Sequence, residues 1–224
     1  MKLEVKDLSF FYKDGDRDKT IFDNVSLDFN NGLFYCITGA SGSGKTTLLS
    51  LLGTIENIQT GEILLDGANI FDDPIMYRKD KVGFIFQNYN LISYMSGIEN
   101  VALAMEIAGR KRDMNQILGT LELIGIDKDT AKKKVSKLSG GEQQRIAIAR
   151  AFINNPNIIL ADEATGNLDS DTSDTIVNIL LLLAHKFNKC IIMATHNEEI
   201  AQQADVEYCI KNKKIIKTVH LKEF

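Results

Sequence analysis

The 224-residue sequence predicts an α/β fold, and three patterns in different parts of the chain carry this prediction. The first third contains segments in which apolar and polar residues alternate, as in the strands of an antiparallel sheet. The middle of the chain spaces its apolar residues as a helix does. The last third contains short apolar runs around a helical pattern, which is typical of a buried parallel sheet. We therefore expect an α/β core with an N-terminal antiparallel β subdomain and an inserted helical lobe.

The predicted strands of the first third lie in three segments. They are LEVKDLSFFY near the N-terminus, the run from Ile21 to Thr38 with a turn at Asn30–Gly32, and TGEILLDG at residues 60–67. The segment KDGDRDKT, residues 13–20, lies between the first two and is rich in charge. We expect a loop there because polar clusters with glycine are typical of loops.

Three helical patterns follow. One helix face joins Ile117, Leu118, Leu121 and Ile124, a second joins Ile146, Ala149, Phe152 and Ile153, and a third joins Ile176, Ile179, Leu180 and Leu183. The third pattern lies between the apolar runs IILAD and CIIMAT, which predicts a strand, a helix and a strand in succession. We assign residues 1–224 to one domain, with 1–87 and 138–224 in the core and about 88–137 in the helical lobe.

Composition narrows the possible partners. The formal net charge of -4 and the pI near 5.5 argue against a broad nucleic-acid surface, although a local phosphate site is compatible with them. Cys36, Cys190 and Cys209 match no metal or redox spacing, so we expect buried free thiols. No run approaches the roughly 18 apolar residues of a membrane span, and we expect a chain that is soluble by itself.

The segment GASGSGKT fits the pattern G-x-x-x-x-G-K-[ST] after the apolar strand LFYCIT and before the helical TTLLSLL. Its glycines allow backbone N–H groups to surround phosphates, and the following helix adds its positive end. Lys45 is expected to contact the β and γ phosphates, Thr46 to bind Mg²⁺ and Thr47 to add a phosphate hydrogen bond. The segment predicts a nucleoside triphosphate site formed by Gly39, Ala40, Ser41, Gly42, Ser43, Gly44, Lys45, Thr46 and Thr47.

The segment NIILADEAT ends an apolar strand in two acids. We expect Asp162 to hold magnesium and Glu163 to take a proton from water that attacks the γ-phosphate. A pair of acids after a strand is more often a solvated strand end or a helix cap. The presence of the phosphate loop in the same chain favours the catalytic interpretation.

Two further polar residues close apolar strands. Gln87 follows VGFIF and is expected to contact Mg²⁺ or the attacking water, while His196 follows CIIMAT and is expected to contact the γ-phosphate or orient the water. Because ligands gather at the carboxyl ends of strands in α/β sheets, we expect Gly39, Gln87, Asp162 and His196 to converge. His185 and His220 follow no such strand, and we expect structural roles for them.

The segment LSGGEQQR, residues 138–145, opens a predicted helix with a serine and two glycines but contains no lysine. A helix N-terminus of this composition can bind an anion. The phosphate loop already surrounds the triphosphate of its own chain, so this second site suits a γ-phosphate that another molecule presents. The spacing alone leaves open that the helix serves its own chain.

These motifs, with NLD at residues 167–169, occur in an order that resembles the ATP-binding cassette (ABC) family over nearly the whole chain. The resemblance implies ATP as the nucleotide and a second ATPase subunit packed head to tail. Each ATP would lie between one phosphate loop and the other chain's Ser139, Gly140 and Gly141, with Asp169 at the same seam. It also implies an aromatic residue that stacks on adenine. We choose Tyr12, with Phe10 and Phe11 as alternatives.

The segments ADEATGNLDS and LSGGEQQRIAIARA resemble a narrower group of macrolide and antimicrobial-peptide exporters, lipoprotein-release ATPases and a cell-division relative. Ala164 departs from that group, which usually has proline there. The resemblance implies an ATPase that drives export or extraction through an integral membrane permease and lies on the inner face of the cell membrane. A division-type ATPase without solute transport, or a soluble repair or translation ATPase, are the alternatives. The expected docking segment, residues 88–95, contains Tyr89, Leu91, Ile92, Tyr94 and Met95.

Overall fold

The computed structural model describes residues 1–14 and 17–220 of the chain. Its strands are β1 Lys2–Asp14, β2 Arg17–Asn30, β3 Phe34–Gly39, β4 Thr60–Leu65, β5 Ala68–Asn69, β6 Val82–Ile85, β7 Ile158–Asp162, β8 Cys190–Ala194, β9 Val206–Lys211 and β10 Lys214–Val219. Its α-helices are α1 Lys45–Leu52, α2 Pro74–Asp80, α3 Gly97–Ile107, α4 Met114–Leu123, α5 Lys128–Lys132, α6 Gly140–Phe152, α7 Ser170–His185 and α8 Glu198–Gln202.

Most helices begin where a short polar side chain can accept hydrogen bonds from the free N–H groups of the first turn. These capping residues are Asp73, Ser96, Asp113, Asp127, Ser139, Asp169 and Asn197. The helix starts are therefore encoded locally in the sequence.

The strands form two sheets. The four-stranded sheet has the order β2-β1-β4-β5 and is antiparallel, while the six-stranded sheet has the order β10-β9-β3-β8-β7-β6. The pairs from β9 to β6 are parallel, and β10 joins the edge in antiparallel register. The predicted combination of an antiparallel β subdomain and an α/β core is confirmed.

Alternating side chains of β3 divide the interior into two apolar clusters. Phe34 and Cys36 face the cluster that also contains buried residues of α3, α4, α6 and α7. Tyr35 and Ile37 face the cluster shared with the four-stranded sheet and α1. Since successive strand residues point to opposite faces, one central strand supports both layers. The phosphate loop at the end of β3 is thus fixed from both sides.

The helical lobe contains α3, α4 and α5, and α3 packs on α6. Ile117, Leu121 and Ile124 are buried as the helical pattern predicts, and Leu118 packs against the same cluster from a partly buried position. The lobe begins with a segment outside helices and strands, and its first helix starts at Gly97.

Two sequence expectations differ from the structure. The expected loop at KDGDRDKT is largely the end of a β-hairpin, in which Lys13 pairs with Asp18 and Tyr12 with Lys19; residues 15 and 16 lie outside the described residues. A two-stranded ribbon can carry polar side chains on both faces, so charge alone does not indicate a loop here. Cys209 is half-buried, whereas Cys36 and Cys190 are buried as expected. Over the described residues, every helix is too short or too polar to cross a membrane.

Candidate active site

The phosphate loop joins the end of β3 to the start of α1. Gly39, Gly42 and Gly44 have φ values of 143°, 73° and 109°, in the region that favours glycine. A Cβ atom at Gly44 would lie 2.4 Å from Cγ2 of Ile21, so the neighbouring β subdomain also requires glycine at this position. Lys45 Nζ donates to the carbonyl oxygens of Gly39 at 2.8 Å and Ala40 at 3.2 Å. The ammonium group therefore lies across the mouth of the loop.

A cavity of about 510 Å³ adjoins this loop. Its lining consists of Tyr12, Lys19, Ile21, Ser41, Gly42, Gly44, Lys45, Thr46, Thr47, Glu163 and His196. The structure thus brings the loop, one acid of the second motif and the strand-end histidine to a common space, and it adds Lys19 and Ile21 from β2, which the sequence reasoning missed.

The three candidate aromatic residues have different environments. Tyr12 lines the cavity, is 41% exposed and has its hydroxyl 3.3 Å from Thr47 Oγ1. Phe10 is 3% exposed and belongs to the core, where its ring meets that of Tyr12 edge to face. The backbone N–H and carbonyl of Phe11 are both bonded to the side chain of Gln59. Tyr12 is the residue of the three that presents a ring to the cavity.

Thr46 and Asp162 form a pair of oxygen donors at the start of α1. The Thr46 hydroxyl donates to Asp162 Oδ1 at 3.2 Å. Burial raises the pKa of Asp162 above its ordinary value, opposed by the hydrogen bond from Thr46 and reinforced by the neighbouring Glu163 carboxylate. A hydroxyl beside a half-buried carboxylate is a donor set that suits a hard divalent cation.

Glu163 and His196 form the second polar pair of the site. His196 Nδ1 lies 3.3 Å from Glu163 Oε1, and the Glu163 backbone N–H donates to the carbonyl of Ala194 at 3.0 Å. Glu163 has a φ of 45°, a left-handed conformation that costs a non-glycine residue energy. The turn after β7 therefore holds the carboxylate next to the end of β8. The following residue, Ala164, is 3% exposed and packs in the core.

Gln87 lies next to this cavity, behind the residues that line it. Its carbonyl accepts from Asn167 Nδ2 at 3.5 Å, and its side-chain nitrogen is 3.4 Å from where a Cβ of Gly166 would lie. Gln87 thus packs against the segment that follows Glu163, whereas the described lining of the cavity does not include it. The expected convergence of strand ends places Gly39, Asp162 and His196 together and Gln87 beside them.

The N-terminus of α6 forms a separate site. The Ser139 hydroxyl accepts from the Glu142 N–H at 3.3 Å, and Glu142 accepts from the Ser139 N–H at 2.7 Å, which is a capping box. The bond from the Ser139 N–H holds the pKa of the Glu142 carboxyl below its ordinary value. Gly140 and Gly141 open the helix. Among the described residues that line the nucleotide cavity, none belongs to this helix.

The start of α7 lies next to the start of α6. A Cβ at Gly141 would lie 2.5 Å from Cγ2 of Thr172. Thr172 is itself fixed by Asp169, the cap of α7, which accepts from its N–H at 2.9 Å and from its hydroxyl at 2.8 Å. The two helix N-termini therefore form one continuous surface that contains Ser139 and Asp169.

The two remaining histidines have structural partners. His185 Nε2 lies 2.9 Å from Asp205 Oδ2, and this carboxylate also accepts from the Phe34 N–H at 2.7 Å. His220 Nε2 lies 3.6 Å from Glu207 Oε2. Neither lines the described nucleotide cavity.

The chain is similar to several curated proteins. The family model described as "ABC transporter" matches residues 22–166. An uncharacterized ABC transporter ATP-binding protein, YclH of Bacillus subtilis, is 42% identical over 207 residues, which cover 91% of each chain. The lipoprotein-releasing system ATP-binding protein LolD of Buchnera aphidicola is 40% identical over 91% of this chain and 92% of its own. The macrolide export ATP-binding/permease protein MacB of Hyphomonas neptunium is 39% identical over 96% of this chain and 34% of its own length.

The fold is similar to that of a solved cassette. The ATP-binding cassette MJ0796, in a dimeric post-hydrolysis state bound to ADP and Pi, aligns with a TM-score of 0.88 at 32% identity, over 99% of this chain and all of the other. This likeness spans both sheets and the helical lobe.

Proposed function

The chain belongs to the ABC transporter family as an ATP-binding subunit, and from that premise we propose which side chains carry its activity. The protein is an ATPase whose hydrolysis of ATP powers transport through a membrane permease, in the group that includes the LolD and MacB components. One observation supports the assignment of residues most directly: Lys45, Thr46, Glu163 and His196 line one cavity at the strand ends.

We assign triphosphate binding to the phosphate loop. Lys45, together with the N–H groups between Gly39 and Thr47, would contact the β and γ phosphates, and Tyr12 would stack on the base. The Thr46 hydroxyl and the Asp162 carboxylate fit Mg²⁺ as oxygen donors, with Gln87 as a further candidate ligand from the neighbouring segment. The ion would neutralise charge on the phosphates, and Lys45 would orient them.

We assign proton transfer to Glu163. Its carboxylate would accept the proton of a water molecule whose oxygen forms the new bond to the γ-phosphorus, while the bond from phosphorus to the ADP oxygen breaks. His196 would hold the γ-phosphate or the water from the other side, in keeping with its position 3.3 Å from Glu163. The left-handed turn at Glu163 orients the base before ATP binds.

The proposed partner across the site is a second ATPase subunit in a head-to-tail arrangement. The α6 N-terminus has the donors of an anion site, yet it lies outside the described lining of its own chain's cavity. Ser139, Gly140 and Gly141 would therefore contact the γ-phosphate bound by the other subunit, with Asp169 beside them. The dimeric state of MJ0796 supports this arrangement.

The proposed permease site is a groove of about 580 Å³ between the core and the helical lobe. Phe84, Phe86 and Ile107 supply apolar surface, and Arg78 and Lys79 supply positive charge at the rim. An amphipathic cytoplasmic helix of the permease with an acidic residue would complement this surface. The expected docking segment 88–95 contributes only Asn90 to the described lining, so the groove is formed mainly by α2, β6, α3 and α6. Through this contact the subunit would lie on the cytoplasmic face of the membrane.

The substitution Glu163→Gln tests the assignment of the base and of the dimer. The amide keeps the shape of the side chain but cannot accept the proton, so we expect a loss in kcat of roughly 10²- to 10⁴-fold with ATP binding retained. The unhydrolysed ATP would hold two subunits together, which light scattering with ATP and Mg²⁺ would detect as a doubled mass. Turnover at the wild-type rate, or a monomer at high protein concentration, would contradict the proposal.

A further inference from the structure

Arg150 connects the last turn of α6 to the chain that follows Gln87. Its Nη2 donates to the carbonyl oxygen of Tyr89 at 2.8 Å, and its Nη1 donates to the carbonyl oxygen of Asn90. Tyr89 and Asn90 have φ values of 59° and 49°, both in the left-handed region. This conformation is costly for Tyr89, whereas asparagine tolerates it better, so the segment gains from an external constraint. The two bonds from one planar guanidinium supply it.

The guanidinium group of Arg150 bonds to carbonyl oxygens rather than to a carboxylate. Within residues 1–14 and 17–220, no carboxylate forms a salt bridge with Arg150. Burial lowers the pKa of this arginine from its ordinary value. A half-buried cation without a carboxylate is costly unless its donors are satisfied. The placement of Arg150 therefore depends on the two carbonyl oxygens as much as they depend on it.

The segment bound by Arg150 contacts both α6, which begins in the motif LSGG and is called the signature helix below, and the turn that carries Glu163. The hydroxyl of Tyr89 lies 3.1 Å from where a Cβ of Gly140 would be. Two residues before Tyr89, the side chain of Gln87 packs against Gly166. Residues 87–90 thus span the distance between the α6 N-terminus and the turn that carries Glu163, and Arg150 binds the last two residues of this span.

We propose that Arg150 is a positioning residue that fixes Gln87 relative to the signature helix, so that Gln87 and the α6 N-terminus move as one unit. This inference rests on the proposed role of Gln87 as a magnesium ligand. Arg150 and Asn90 also line the groove assigned to the permease. An acidic group of a partner in that groove would compete with the Tyr89 and Asn90 carbonyls for the guanidinium, which gives the partner a direct route to Gln87.

The first test compares Arg150→Met, which removes the guanidinium, with Arg150→Lys, which keeps the charge without the fork of donors. We expect Arg150→Met to lower kcat by at least about tenfold while the KM for MgATP changes by less than about threefold, because the nucleotide cavity is intact and only a catalytic group is displaced. Arg150→Lys should show a smaller loss in kcat. The matched control is Arg110→Met, since Arg110 donates to the Asn154 carbonyl at 2.9 Å without touching residues 87–90.

The second test is a double-mutant cycle with Gln87→Ala. If Arg150 acts through Gln87, Gln87→Ala combined with Arg150→Met or with Arg150→Lys should be no slower than Gln87→Ala alone. Additive losses would overturn the proposal, as would wild-type kcat in both Arg150 variants. If Arg150→Met fails to fold, the comparison of Gln87→Ala with and without Arg150→Lys tests the proposal instead. Wild-type kcat in Gln87→Ala would instead reject the role of Gln87, which separates a failure of the proposed function from a failure of this inference.

Discussion

Asp162 illustrates a conflict between stability and a proposed function, magnesium binding, at a single residue. Burial raises the pKa of its carboxyl, so the folded chain disfavours the charged form that a cation requires. Thr46 offsets part of this cost with one hydrogen bond. Without a bound cation, the ionised carboxylate therefore destabilises the folded state.

The substitution Asp162→Asn should raise the melting temperature of the nucleotide-free protein at pH 7. A carboxyl whose folded pKa lies above its unfolded value destabilises the fold when it is ionised in both states, and the destabilisation vanishes below the unfolded pKa of about 3.9. The gain should therefore shrink as the pH falls toward 4. Differential scanning fluorimetry over this range measures it.

The control for this prediction is Asp72→Asn, which alters an exposed carboxylate. It should leave the melting temperature at pH 7 nearly unchanged. MgATP should stabilise the wild type more than Asp162→Asn, because the variant has lost a proposed magnesium ligand. A melting temperature of Asp162→Asn below that of the wild type at pH 7 would contradict this account.

At the scale of elements, the N-termini of α6 and α7 approach so closely that one position admits only glycine. Thr172 cannot simply rotate away from a side chain at Gly141, because its hydroxyl and its N–H are both bonded to Asp169. The pattern LSGG therefore serves packing as well as the proposed anion binding. Sequence reasoning assigned Gly141 to the second purpose alone.

The substitution Gly141→Ala should destabilise the protein by about 1–3 kcal/mol, as overpacking does. Replacing Thr172 by Ser in the same chain removes the γ-methyl group and keeps the hydroxyl, so Gly141→Ala with Thr172→Ser should recover much of the loss. Urea unfolding of the single and double variants measures both effects. Equal stability of Gly141→Ala and the wild type would show that the helices have room to separate.

Gly119 provides the matched control for this experiment. It lies inside α4, and apart from its chain neighbours and the backbone of its own helix no described atom lies within 4 Å of the position that its Cβ would take. Gly119→Ala should therefore stabilise the chain by about 0.5–1 kcal/mol, because alanine loses less backbone entropy in a helix. If Gly119→Ala raises the free energy of unfolding and Gly141→Ala lowers it, the effect of helix propensity is separated from the effect of packing.

At the scale of the whole molecule, the sequence predicts local motifs at strand ends better than it predicts contacts between segments that are far apart in the chain. The phosphate loop and the acids after β7 can be located in the sequence because each motif is a short, continuous segment. Phosphate binding and cation binding also favour those residue types. The separation of Tyr12 from Phe10 depends on which ring the second sheet covers, and the bonds from Arg150 to Tyr89 and Asn90 join segments far apart in the chain. Such tertiary contacts leave no periodic pattern in the sequence.

The groove between the core and the helical lobe is the proposed contact through which a permease would hold the subunit at the membrane. Ile107 is 76% exposed at the end of α3 and lines the groove, so Ile107→Glu should weaken the proposed contact with a permease helix by placing a charge against an apolar face. The measurement is the fraction of subunit that sediments with membranes when its permease is co-expressed. We expect a loss of at least about tenfold in bound subunit.

Ile216→Glu is the matched control for this substitution. Ile216 is 53% exposed on β10, away from the groove, so membrane sedimentation of this variant should equal that of the wild type. Both variants should melt within a few degrees of the wild type, since neither side chain is buried. Undiminished sedimentation of Ile107→Glu would place the permease contact elsewhere.

The position of β3 between β8 and β9 has a consequence for how the protein is made. Phe34 pairs with Ile191 and Tyr35 with Val206, so the strand that ends in the phosphate loop lacks both of its neighbours until β8 and β9 have been synthesised. At typical translation rates this interval lasts roughly ten to thirty seconds. The nascent chain must therefore carry an apolar strand with two open edges out of the ribosome, a state that chaperones protect from aggregation. The phosphate loop, although it is synthesised before them, is therefore held between its two neighbouring strands only after β8 and β9 have left the ribosome.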